Sequence, residues 1–135
     1  MKKVLHPLDG SARSLRTIDM VKQLYPHQDV EITLMMVLPD PKPFETPREQ
    51  DRTQQKASQE LASFAQQLEG WPVKTVLLRG NPGPEIVQYA REKSFHALAM
   101  TRSTRGTLQR LGSVTSYVVK NAQFLDLFIM REDEP

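Results

Sequence analysis

The run Ile32 to Leu38 constrains this chain more than any other stretch. It is almost unbroken in apolar residues and is closed by Pro39 and Asp40. A strand with one face in water alternates apolar and polar residues, whereas a parallel strand covered on both faces does not. Ile32 to Leu38 therefore reads as a central strand of a sheet packed on both sides. Shorter runs of the same kind recur at Lys3–Leu8, Val73–Leu78, Ala97–Met100 and Phe124–Met130, and helical spacing fills the intervals between them.

The intervals carry their own start and stop signals. Asp9-Gly10-Ser11 follows the first strand as turn and cap residues, and Leu15, Ile18, Val21 and Leu24 then recur at helical spacing until Pro26. Pro41, Pro43 and Pro47 make Asp40 to Pro47 a loop. A polar helix follows from Arg48, with Ala57, Leu61, Phe64, Ala65 and Leu68 as its apolar stripe and Gly70 as its end. Gly80-Asn81-Pro82-Gly83-Pro84 supplies a turn that places Pro84 at the start of a third helix, buried through Ile86, Val87 and Ala90. A fourth helix spans Ser113 to Asn121. His6 reads as a buried or half-buried histidine satisfied by a backbone carbonyl; Trp71, Tyr25 and Tyr89 read as packing residues.

Strands alternating with helices force parallel neighbours, because each crossover returns the chain to the same end of the sheet. The expected architecture is an α/β three-layer sandwich, a five-stranded open parallel sheet of order 3-2-1-4-5 with four helices, as one domain over residues 1–135. Such sheets bind ligands outside the carboxyl ends of the strands where the strand order reverses. That point lies between strands one and four, which end at Asp9 and Thr101.

Composition narrows the chemistry. The chain has no Cys, so disulfide frameworks, thiolate metal sites and cysteine nucleophiles are excluded. Its formal net charge of +2 offers little long-range attraction for nucleic acid. His6, His27 and His96 show no metal-ligand spacing, and His96 falls at the strand-four start, away from the cleft. No Gly-x-Ser-x-Gly elbow, Walker loop or Gly-x-Gly-x-x-Gly occurs. Neither a signal-peptide apolar stretch nor a membrane-length run is present, and a cytoplasmic, non-enzymatic protein with no membrane or nucleic-acid partner is expected.

Three motifs in sequence order, Val4-Leu5-His6-Pro7-Leu8-Asp9-Gly10-Ser11, Gly80-Asn81-Pro82, and Arg105 with Leu111-Gly112-Ser113-Val114, resemble the universal stress protein family across essentially the whole chain. The resemblance implies a stress-response or regulatory protein, frequent dimerisation and, in a subset of members, ATP held in the switch-point cleft. In that subset an Asp after strand one holds the adenosine, a Gly-x-x-Gly loop after strand four approaches the phosphates, and a Gly-Ser opens the next helix. It makes Pro7, Asp9, Val37, Met100, Thr101, Thr104, Arg105, Gly112, Ser113 and Val114 the candidate nucleotide contacts, with ATP or AMP as the cofactor and Mg only alongside ATP.

The chain departs from that pattern in one place. Thr101 and Thr104 stand where the nucleotide-binding subset has glycines, and the loop is shortened. A β-branched residue pays heavily for the positive φ that glycine adopts freely, so the expected state is a non-catalytic dimer with a degenerate cleft. The alternative is an ATP- or AMP-binding member whose altered loop closes on the nucleotide through Arg102, Arg105 and Ser113, with Arg110 as a further anion contact; against it, Ser113 caps its helix with or without a ligand, and the three Arg read equally as solvated. Asp9 is open to two readings, ribose acceptor or ordinary turn and cap. The dimer is expected to form through the last strand, Phe124–Met130, whose open apolar edge needs cover.

Overall fold

The computed structural model describes residues 1–26, 29–102 and 112–131, without the side chain of residue 12. The elements follow in the order β1 (Lys2–Pro7), α1 (Ala12–Leu24), β2 (Val30–Leu38), α2 (Pro47–Gln66), β3 (Val73–Arg79), α3 (Pro82–Glu92), β4 (Ala97–Arg102), α4 (Ser113–Asn121) and β5 (Asp126–Arg131). The sheet is β3-β2-β1-β4-β5, with every pairing parallel. The expected fold class and strand order are both found.

Two apolar layers hold the sheet between its helices. Val4, Ile32, Leu34, Ala97 and Ala99 face one way and pack with Ile18, Val21 and Leu61 of α1 and α2. Leu5, Met35, Leu98 and Met100 face the other way and pack with Ile86, Val87 and Val118 of α3 and α4. Both sides of β1, β2 and β4 are thus buried, which is why Ile32 to Leu38 shows no alternation. Leu5, Leu34 and Leu98 are completely enclosed, and each such side chain contributes about 1.5–3 kcal/mol of transfer free energy.

Several boundaries and faces differ from the expectation, each for a physical reason. α3 begins at Pro82, with Asn81 as its N-cap; either proline tolerates the first turn, and the earlier one takes the first position. β5 begins at Asp126, leaving Phe124 outside the strand, half-exposed beneath the guanidinium of Arg91 at 4.8 Å. On α1, Leu15 and Leu24 lie toward solvent, and the buried face is Ser14, Thr17, Ile18 and Val21. Short polar side chains meet the sheet here because they have partners: Ser14 lies against Asp9, and Thr17 bonds Thr101 and the carbonyl of Arg13.

His6 is fully buried on β1, as expected, but it is not satisfied by a carbonyl. Among the described residues neither of its ring nitrogens has a hydrogen-bond partner. The side chain leaves the strand on the same side as Val4 and Leu8, toward the layer they share with α1 and α2. Burial holds its pKa down at about 3, so the ring is neutral at physiological pH. Tyr25 packs edge-on against Phe128, Tyr89 packs against Phe95, and Trp71 lies on the α1/α2 core.

Candidate functional site

The carboxyl ends of β1, β2 and β4 and the amino ends of α1, α3 and α4 enclose a cleft of about 440 Å³. It opens because β1 and β4 pair only through Val4–Ala97 and Leu5–Leu98, after which the two chains continue to different helices. One wall is apolar, formed by Met35, Val37, Leu38, Pro39, Ile86 and Met100. The other is polar and includes Asp9, Arg13, Ser14, Thr17, Thr101 and the stretch Gly112 to Thr115.

Asp9 anchors the polar wall. Its Oδ1 accepts from the Ser11 amide at 2.9 Å, the Ser11 hydroxyl at 2.5 Å and, at 3.4 Å, the Ser14 hydroxyl. Its Oδ2 accepts from the Arg13 guanidinium at 2.6 Å, closing an ion pair. Partial burial pushes the carboxyl pKa up, but the hydrogen bonds from Ser11 and Arg13 and the Arg13 charge outweigh it, and the net shift is downward. Ser11 is the N-cap of α1, its hydroxyl accepting from the Arg13 amide at 3.2 Å. Gly10 makes the turn possible: its φ is +80°, and a Cβ there would lie 2.6 Å from Glu60 Oε2. Asp9 thus makes the turn before the helix, the cap itself being Ser11, and the carboxylate still lines the cleft.

Thr101 sits near the end of β4 and bonds Thr17 across to α1, Oγ1 to Oγ1 at 2.6 Å. Among the described residues Ser94 is the one non-glycine with positive φ, so Thr101 carries none of the strain expected of it. Its hydroxyl is held against α1, and the cleft remains open beside it. Thr104, Arg105 and Arg110 lie outside the described residues, and Arg102, in register with Arg131, is not part of the lining.

At α4 the structure corrects the expected cap. Gly112 is the N-cap and Ser113 the first helical residue, and among the described residues no side chain caps the helix. The Ser116 amide returns to the Gly112 carbonyl at 2.8 Å, while the amides before it have no side-chain acceptor from the cap. Helix amides in that position, with the positive end of the helix dipole behind them, suit an anion.

The fold thus gathers Pro7, Asp9, Val37, Met100, Thr101, Gly112, Ser113 and Val114 round one cavity. Reading the sequence missed Arg13, Ser14 and Thr17, which a search for apolar helical spacing passes over. The Asp9-to-Arg13 spacing of four residues was the available signal for the ion pair. Pro82 was also missed. Gly83 is structural as expected, since a Cβ there would meet Tyr117 at 2.9 Å. His96 lies at the opposite end of the sheet, its Nδ1 accepting from the Lys3 amide at 3.0 Å.

A profile of the Universal stress protein family matches residues 1–125. The chain belongs to this family. Universal stress protein MJ0531 of Methanocaldococcus jannaschii is 31% identical over 132 residues, spanning 90% of this chain and 77% of that one. Among solved structures, hypothetical protein MJ0577 superposes with a TM-score of 0.82 at 23% identity, covering 99% of this chain and 98% of its own. A universal stress protein family member from Arabidopsis thaliana, solved with AMP bound, superposes at 0.74 with 16% identity, covering 98% and 93%. These likenesses establish a universal stress protein fold over nearly the whole chain.

Proposed function

We propose that the chain is a non-catalytic, adenine-nucleotide-binding universal stress protein that works as a homodimer. The observation that carries this reading is the joining, in one cleft, of the Asp9 carboxylate and the amino end of α4, with an apolar wall between β2 and α3 to cover a base. The residues present fit a nucleotide. Asp9 would take ribose hydroxyls, Val37 and Met100 would flank the base, and the amides from Ser113 onward would face phosphate. The AMP held by the Arabidopsis neighbour supports the ligand class. Thr101 does not stand against the reading, because its side chain bonds α1 and leaves the cavity open. A divalent cation would arrive on a triphosphate, since among the described residues Asp9 is the one carboxylate lining the cleft.

The dimer would form by pairing of β5 edges, covering Leu127 and Ile129 at the open side of the sheet. Calorimetric titration of adenosine, AMP and ATP into nucleotide-stripped protein tests the nucleotide reading. Saturable binding that weakens by about tenfold or more in Asp9→Ala is the expected result. No binding at millimolar nucleotide would overturn it and leave a degenerate cleft on a protein that acts through other proteins.

A further inference from the structure

Resting on the nucleotide reading just given, in which the apolar wall covers the base, the rim of that wall depends on a residue outside the cleft. β2 ends at Leu38, and Pro39, the first residue of the connection to α2, still lines the cavity. From Pro39 to Phe44 every residue is exposed, so no buried side chain of this stretch fixes its place. Pro39, Pro41 and Pro43 bring no amide donors to it either. The position of the rim is therefore set by hydrogen bonds that reach it from other elements.

Arg79 supplies two of them from a single group. It is the last residue of β3, in register with Leu38, half-buried and not part of the cleft lining. Its Nη1 donates to the Pro39 carbonyl at 3.2 Å, and its Nη2 to the Gln50 carbonyl near the start of α2 at 3.4 Å. One planar guanidinium thus ties together the two ends of the β2–α2 connection. Within the connection, Gln50 Nε2 donates to the Glu45 carbonyl at 3.3 Å and the Lys42 amide to Glu45 Oε2 at 3.1 Å. Beside it the Gly80 amide donates to the Leu38 carbonyl at 2.8 Å, so Leu38 is held by the main chain of the neighbouring strand and Pro39 by the Arg79 side chain.

We infer that Arg79 is a positioning residue for the nucleotide base: it fixes the Pro39 rim of the apolar wall without touching the ligand. Without its donors the rim loosens and the base loses packing surface. The phosphate site, at the amino end of α4, belongs to a different element and keeps its contribution.

The test is calorimetric titration of adenosine and AMP into the nucleotide-stripped chain and into Arg79→Met, Arg79→Lys and Val30→Ala, with folding of each variant checked by thermal unfolding. Arg79→Met keeps the length of the side chain and removes the donors; it should weaken adenosine and AMP by the same factor, about fivefold or more, leaving the ratio between them unchanged. Arg79→Lys, with a point charge in place of the fork, should fall between that variant and the parent. Val30→Ala opens the core at the far end of β2 and should lower the melting temperature while leaving both affinities within about twofold. Binding of both ligands by Arg79→Met within about twofold of the parent overturns the inference. So does a loss confined to AMP, which would make Arg79 a charge acting on the phosphate, or an equal loss in Val30→Ala, which would make it a general effect of stability. Each of these outcomes leaves the nucleotide reading standing. Failure of the parent chain to bind either adenosine or AMP overturns both.

Discussion

The hydroxyls of Thr17 and Thr101 lie 2.6 Å apart and join the first helix to the end of the fourth strand. Thr17 Oγ1 also donates to the Arg13 carbonyl at 3.2 Å, so its single proton is committed and Thr101 is the donor in the shared bond. Thr101 is thus a strut between two walls of the cleft.

Thr17→Val and Thr101→Val should each lower stability by about 1 kcal/mol, with a coupling of about 0.5–1.5 kcal/mol in the double mutant. Urea unfolding of the four proteins measures it, and strict additivity would mean that the hydroxyls do not interact. Thr101→Gly should destabilise while changing nucleotide affinity by less than about threefold, because the side chain is already turned onto α1.

His6 governs a distinct acid limb. Its pKa is about 3 in the folded chain, below its ordinary value of 6.5, so the unfolded chain binds the extra proton between those values. Stability should fall as pH drops from about 6.5 toward 3, by up to about 1.4 kcal/mol per pH unit. Asp9, whose carboxyl is held down, adds a second loss in the same direction, confined to pH below about 4. His6→Leu removes a buried group whose two nitrogens have no partner among the described residues, and should flatten the region between pH 4 and 6 without loss of stability at pH 7. An unchanged acid slope in that variant would place the titrating group elsewhere.

Gly10→Ala should cost about 1–2 kcal/mol, since a side chain is strained at its φ of +80° and would press on Glu60. Because Gly10 separates Asp9 from its cap partner Ser11, nucleotide affinity should fall with stability. A variant as stable as the parent would show that the turn relaxes freely.

Sedimentation at tens of micromolar should give twice the chain mass, and Ile129→Asp should give the monomer mass. Ile129 lies on the edge strand and is only partly buried within one chain. A monomeric parent protein would remove the proposed β5 pairing.

The sheet was legible because buried parallel strands write themselves as uninterrupted apolar runs, and Ile32 to Leu38 is the clearest. The cleft followed from strand order alone, which placed Asp9 and Thr101 together before any contact was known. What periodicity did not reveal was the polar seam beneath α1. Ser14 and Thr17 break the apolar stripe, and their burial makes sense only with Asp9 and Thr101, distant in sequence or outside the helix. His6 misled for a related reason: burial can be inferred from a strand, but whether a carbonyl reaches the ring depends on the neighbouring elements. The Ser113 cap failed by a single residue, the scale on which helix ends are set by local geometry.

The ladder between β1 and β4 ends at Leu5 and Leu98, before either chain reaches the cleft. Residues beyond that point on β4 answer to α1 and β5, not to the strand beside them. Thr101 can therefore bond Thr17 without engaging the β1 ladder. The two halves of the molecule are riveted at the bottom and left unlaced at the top, so the ligand chemistry of this fold can be revised while its architecture stays fixed.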